Sequence, residues 1–268
     1  MMQDGAVRDI TPAEFAGFQR LIGEASGITL STSKRQLLVG RIARTVRERG
    51  LASYGEYLEA VRADRSGKEL VRLLDLVSTN ETRFFRETPH YRYIADVLCP
   101  QWKSEAAASG TGRTIRVWSA ACSTGQEPYS VAMTLLDLLP QGAGWAVEVL
   151  ASDISTRVLD TASRGEYDVA RAPEIPQPLL RRFMLRGVGE RAGRMSVGME
   201  LRKCVSFARV NLSEPRYQVP GAWDLIFCSN ALIYFSQEGR AAVVERLAQR
   251  LSPRGRLFVG HAESLHDH

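Results

Sequence analysis

Phosphate-binding fingerprints are absent from this sequence. It holds no G-x-G-x-x-G and no G-x-x-x-x-G-K-[ST], so the glycine-rich loops that offer bare amides to a phosphate are excluded. Cysteine is scarce: Cys99, Cys122, Cys204 and Cys228. None forms a C-x-x-C pair and no histidine cluster accompanies them, which argues for buried thiols and against zinc or a disulfide framework. The histidines, His90, His261, His266 and His268, are scattered, and no metal is assigned to them. No apolar run approaches the roughly 20 residues of a membrane span. The opening "MMQDGAVRDI" lacks the apolar core of a signal peptide. No membrane insertion and a cytoplasmic location are the expectations.

The charge balance is basic, and the excess is local. The formal net charge is +5. Residues 31–50 alone carry Lys34, Arg35, Arg41, Arg44, Arg47 and Arg49 against Glu48. Leu38, Ile42 and Val46 recur at i, i+4, i+8 and would bury one stripe of a helix. Its arginines then project elsewhere, either as a solvated face or toward an acidic partner.

The first part of the chain reads as short helices with clear starts. "TPAE" at 11–14, "SYGE" at 53–56 and "SGKE" at 66–69 follow the capping-box pattern. Gly27 and Gly50 fall where C-terminal glycines belong. A small all-helical domain is expected over 1–76. A further helix is expected from Thr88 to about Leu98, and "SEAAASGTGR" reads as a loop. From there strands and helices alternate: "TIRVWSA", "AVEVLASD", "CVSFARVNL", "WDLIFCSN" and "GRLFVG" are strands. That alternation predicts an α/β fold with a mostly parallel, Rossmann-like sheet over 77–268. Residues 186–203, glycine-rich and basic, interrupt it as an inserted antiparallel β subdomain.

Ligands on such sheets bind beyond the carboxyl ends of the strands. Asp153, Asn211 and Asn230 end three successive strands, and Glu127 begins the helix after "VWSAACSTG". Any one of them could be a cap or turn residue; together they line one crevice. A carboxylate at a second strand end can take both hydroxyls of a ribose. A second carboxylate where a phosphate would sit calls for a cation. S-adenosylmethionine answers both requirements. Its carboxylate needs a cation in turn, and "NETRFFRE" offers Arg83 and Arg86 around Phe84 and Phe85, in what reads as an amphipathic helix with at least one phenylalanine in the core. Arg86 is the better bidentate clamp.

"STNETRFFRE", "WSAACSTGQEPYSVAM", "ASDIS", "VNLSEP" and "FCSNALIYF" stand in an order that resembles the chemotaxis receptor methyltransferases, the CheR family. The resemblance covers nearly the whole chain. It implies a class I S-adenosylmethionine-dependent methyltransferase fold. The implied activity is methyl transfer to glutamate side chains on the cytoplasmic helices of chemoreceptors, with S-adenosylhomocysteine as product. It implies cofactor contacts at Asn80, Thr82 and Arg86, at Glu127 and Asp153, and at Asn211-Leu212 and Asn230-Ala231. Tyr234 is expected to line the acceptor channel, and Arg83 to take part in catalysis. Arg41, Arg44 and Arg47 are expected to dock acidic receptor helices. Residues 186–203 are expected either to cover the crevice or to tether a receptor's C-terminal tail peptide, as some family members do. Two departures stand out. Ser229 occupies a position where the family commonly has arginine. The chain also ends at His268, where family members usually continue, so the sheet is expected to lack its last two strands.

Methyl transfer to a carboxylate is an in-line displacement that needs no strong base, because a glutamate with a pKa of about 4.3 is already ionised at neutral pH. The lack of a His–Asp or Cys–His constellation agrees with that chemistry. Two alternatives compete: a non-catalytic adapter that binds cofactor and receptor, and a nucleic-acid methyltransferase. The second lacks the Asn/Asp-Pro-Pro-aromatic turn of base-amine methylases, having Asn230-Ala231-Leu232-Ile233 instead, and no nucleic-acid partner is expected.

Overall fold

The computed structural model describes residues 8–78, 80–110 and 112–263; His266 and His268 lie outside them. Four helices form the N-terminal unit: α1 (Pro12–Ser26), α2 (Arg35–Glu48), α3 (Tyr54–Ala63) and α4 (Lys68–Val77). At α1 the full capping box forms, the Thr11 side chain accepting from the Glu14 amide and Glu14 reaching back to the Thr11 amide. Ser53 caps α3. At α4 the expected Ser66 cap is displaced: Gly67 holds the N-cap position, and Asp64 accepts from the Glu69 amide at 2.8 Å. Leu38, Ile42 and Val46 of α2 are buried with Phe18, Tyr57 and Leu73 in one core, which is the stripe the periodicity predicts.

A helical run follows: α5 (Thr88–Tyr93), a π-helical turn (Ile94–Leu98) and α6 (Cys99–Ser109). It carries on through residues 104–109, which the sequence reading assigns to a loop. Pro100 cannot donate to the carbonyl of Asp96, so the helix widens by a π turn there and continues on its good helix formers, Ala106 to Ala108.

The rest is the α/β layer. Strands β1 (Thr114–Ser119) and β2 (Ala146–Asp153) flank α7 (Gln126–Leu138), and α8 (Thr156–Arg164) follows. Next come β3 (Glu166–Asp168), α9 (Gln177–Phe183), β4 (Met184–Arg186), β5 (Arg194–Val197) and α10 (Met199–Cys204). The chain then returns through β6 (Val205–Arg209), β7 (Trp223–Cys228), α11 (Gln237–Ala248) and β8 (Leu251–Val259). The large sheet runs β6-β2-β1-β7-β8, every pairing parallel. Its side chains alternate as a sheet covered on both faces requires. Ile115, Val117, Leu225 and Phe227 join the core under α7, while Trp118, Ile226 and Cys228 join the core under α11. The small sheet, β3-β5-β4, is antiparallel. It begins at Glu166, earlier than the expected 186, and residues 199–203 of the expected insertion are helical. No helix of the described residues is long and apolar enough to cross a membrane.

Candidate functional site

A cleft lies beyond the carboxyl ends of β1, β2, β6 and β7, with the helical unit forming its opposite wall. The loop after β1 is its floor. The Ala120 amide donates to the Phe227 carbonyl and the Cys122 amide to Ser152, tying the loop to both neighbouring strands. Ser123 is left-handed (φ 48°), and its amide donates to Asp153 Oδ2 at 2.9 Å. Gly125 has φ 96°, and a Cβ there would lie 2.8 Å from the Tyr167 hydroxyl and 2.9 Å from Ala162 Cβ. Both the backbone sign and the close approach demand glycine. Asp153 also accepts from the Ser155 amide at 3.0 Å. Burial pushes its carboxyl above the ordinary value while these two backbone bonds pull it back.

The segment from Asn80 to Glu87 is a turn where the sequence reading expects an amphipathic helix. Three tertiary bonds outweigh its helical pattern. The Phe84 amide donates to Glu174 at 2.9 Å, the Phe85 amide to Ser130 Oγ at 3.0 Å, and Arg171 to the Thr82 carbonyl at 3.0 Å. Phe84 enters the core against Tyr167, and Phe85 sits at φ 53°. This turn separates the two arginines. Arg86 lines the cleft, one nitrogen bonded to the Glu81 carbonyl at 2.9 Å. Arg83 is exposed and off the cleft wall, so the turn does not bring it to the residues it was expected to act with.

The far end of the cleft is rich in acceptors. Glu127, half-buried, accepts from the Ser119 hydroxyl at 2.7 Å. Burial pushes its carboxyl up to about 7, with Ser119 and Ser229 opposing and the charges of Glu263 and Glu87 adding. Burial pushes Glu87 up as well, but the His261 imidazole at 3.1 Å leaves it below the ordinary value. The buried Ser229 hydroxyl lies near Glu127, but neither it nor Asn230 Oδ1 has a hydrogen-bond partner at ordinary length among the described residues. Asn230 takes a left-handed backbone (φ 61°), which asparagine tolerates better than most residues. Among the described residues the cations on this wall are Arg86 and, at the mouth, Lys34.

Asn80, Thr82, Arg86, Glu127, Asp153, Asn211, Leu212, Asn230, Ala231 and Tyr234 all line the cleft. Asn211 does so with its side chain already engaged: Nδ2 donates to the Ala25 carbonyl at 2.7 Å, and Oδ1 accepts from Ser213. Tyr234 stands at the mouth with Lys34 Nζ 5.3 Å from its ring centre. Sequence reasoning missed Glu87, Ser123 and Lys34 on the cleft wall, the wall that Ser26, Ile28 and Leu30 contribute, and the buried Glu263 behind it. Of these, Glu87 and Ser123 stood in quoted motifs. Among the described residues no cluster of histidine, cysteine and carboxylate side chains could hold a metal.

Two unpartnered acceptors beside a carboxylate suit a ligand that brings N–H groups and positive charge, and so fit S-adenosylmethionine. The family model for the CheR methyltransferase all-alpha domain matches residues 13–78, and that for the CheR methyltransferase SAM binding domain matches residues 80–268. Chemotaxis protein methyltransferase 2 of Pseudomonas aeruginosa is 39% identical over 254 residues, covering 95% of this chain and 87% of that protein. The chemotaxis protein methyltransferases of Salmonella typhimurium and Escherichia coli are each 38% identical over 256 residues, covering 95% of this chain and 85% of theirs. With both of its units matched in order and nearly its full length aligned, the chain belongs to the CheR methyltransferase family.

Proposed function

We propose that this chain methylates glutamate side-chain carboxylates on the cytoplasmic helices of chemoreceptors, forming methyl esters for sensory adaptation. The observation that carries the reading is the cleft itself: acceptors without partners among the described residues, Arg86 on the same wall, and a mouth framed by Tyr234 and Lys34. S-adenosylmethionine, when bound, supplies a sulfonium-activated methyl group. Asp153 has both oxygens oriented by backbone amides and keeps further lone pairs for a ribose diol. Arg86 holds the ligand carboxylate. Glu127, Ser229 and Asn230 accept from its ammonium side, with Asn80, Thr82 and Ala231 lining the same wall. Asn211 and Leu212 contribute wall and backbone on the adenine side.

The acceptor glutamate arrives ionised, so the chain supplies orientation and exclusion of water rather than a base. Lys34 draws that carboxylate to the mouth, and Tyr234 packs beside its path. Arg44 and Arg47 are exposed on α2 and fit an acidic helix, Arg44 through an ion pair with Glu48 at 2.7 Å that a partner would displace. Arg41 is turned inward to the Val77 and Ser78 carbonyls at the end of α4 and supports the cleft wall instead. On the small sheet, β4 is an edge strand with Leu185, Val188 and Met199 exposed nearby. That edge fits an extended tail peptide added as a strand.

Radiolabelled S-adenosylmethionine incubated with receptor membranes tests the reaction. Label released as methanol by base marks a methyl ester. Base-stable label, or none with cofactor bound, would refute it.

A further inference from the structure

The loop after β7 carries Asn230 and Ala231 and ends at Tyr234, yet it belongs to no strand. Its amides are collected by one side chain from the turn beyond β8. Glu263 Oε2 accepts from the Asn230 amide at 2.7 Å and from the Gly260 amide at 2.7 Å; Oε1 accepts from the Ile233 amide at 3.2 Å. The residue is 0% exposed. A buried carboxylate is tolerated when its lone pairs are met, and charge-assisted bonds of this length are the strong kind. Gly260 permits the approach: a Cβ there would lie 2.6 Å from Asn230 Nδ2 and 2.8 Å from Glu263 Oε2. On its other side the loop is held by the helical unit, through an antiparallel bridge between Ile28 and Phe235 and a 2.8 Å bond from the Thr29 amide to the Tyr234 carbonyl. Glu263 itself is not on the cleft wall.

We infer that Glu263 is a positioning residue for the transfer reaction. It fixes the backbone of residues 230–233, left-handed Asn230 included, and through it aims Asn230 and Ala231 at the cofactor. The inference rests on the cofactor reading of the cleft. Glutamine at 263 fills the same space but must turn an amino group toward either the Ile233 amide or the Asn230–Gly260 pair, donor against donor. Alanine leaves all three amides without a partner.

Calorimetric titration of S-adenosylhomocysteine into the wild type, Glu263→Gln and Glu263→Ala tests this, with thermal melts to establish folding. The expected loss of affinity is about 3- to 10-fold for glutamine and more than about 10-fold for alanine, the scale for orphaned buried donors. In turnover, KM for S-adenosylmethionine rises in the same order while KM for the receptor stays within about twofold. A mere loss of folded protein would lower kcat and leave both KM values alone. A Glu263→Gln protein that melts like the wild type and binds S-adenosylhomocysteine within about twofold of it overturns the inference; it is the deciding variant if alanine does not fold. A wild type that binds no S-adenosylhomocysteine overturns the cofactor reading, and this inference with it.

Discussion

Glu127 should make cofactor affinity depend on pH near neutrality. Its carboxyl is buried beside Ser119 and Ser229, with Glu87 and Glu263 adding negative charge and no arginine at position 229 to offset it. With a pKa pushed up to about 7, about one molecule in eleven is ionised at pH 6 and about ten in eleven at pH 8. If the ionised form binds the cationic cofactor, affinity rises about tenfold over that interval, or about 1.4 kcal/mol. The apo protein should show the opposite trend. The folded-state value lies above the ordinary 4.5, so the folded chain keeps a proton the unfolded chain has lost. That contribution is complete below about 4.5 and disappears as pH rises through 7, a change of about 3 kcal/mol at most. The assay is calorimetric titration of S-adenosylmethionine between pH 5.5 and 8, wild type against Glu127→Gln. Subtracting the mutant removes titration of the ligand's own amino group. A wild-type profile parallel to that of Glu127→Gln would refute the reasoning.

Four further outcomes are expected. Asp153→Ala should weaken S-adenosylmethionine binding by about 1–3 kcal/mol, the scale for lost charge-assisted bonds; unchanged calorimetric affinity in a folded mutant would remove it from the site. Gly125→Ala combines a left-handed alanine with contacts under 3 Å to Tyr167 and Ala162 and should cost about 2–4 kcal/mol of stability in denaturant titration; a neutral result would mean the loop shifts freely. Charge reversal at Arg44 and Arg47 should raise KM for receptor, more at low salt, and spare cofactor affinity; normal receptor kinetics at both salt levels would leave them as solvated surface. Replacing residues 187–193 by a Gly-Ser linker should abolish binding of a cognate receptor tail peptide in a fluorescence titration; binding that persists would place the peptide elsewhere.

The features legible in the sequence were those with a period or a punctuating residue. Alternating strands and helices announced the parallel sheet, and Gly125 announced the turn. Asp153, Asn211 and Asn230 could be placed at strand ends because the strands themselves were clear. Contacts made at long range left no such mark. The helical pattern of residues 80–87 yields to bonds from Ser130, Arg171 and Glu174, each distant in the chain. Arg41 shares the spacing of Arg44, and only the end of α4 decides that it turns inward. β3, three residues long, is too short to show alternation. Glu263 resembles any surface glutamate near a glycine until β8 folds beside β7.

The Ile28–Phe235 bridge, the Thr29–Tyr234 bond and the Asn211–Ala25 bond sew the helical unit to the loops that carry the site. The joint therefore does more than connect two modules. Neither half encloses the cleft alone, so a fragment cut at the linker inherits only part of a binding wall. Exchange of the helical unit between relatives would have to carry along the matching backbone register at 28–29 and 234–235. The helical unit and the geometry of the cleft are for that reason inherited together in this chain.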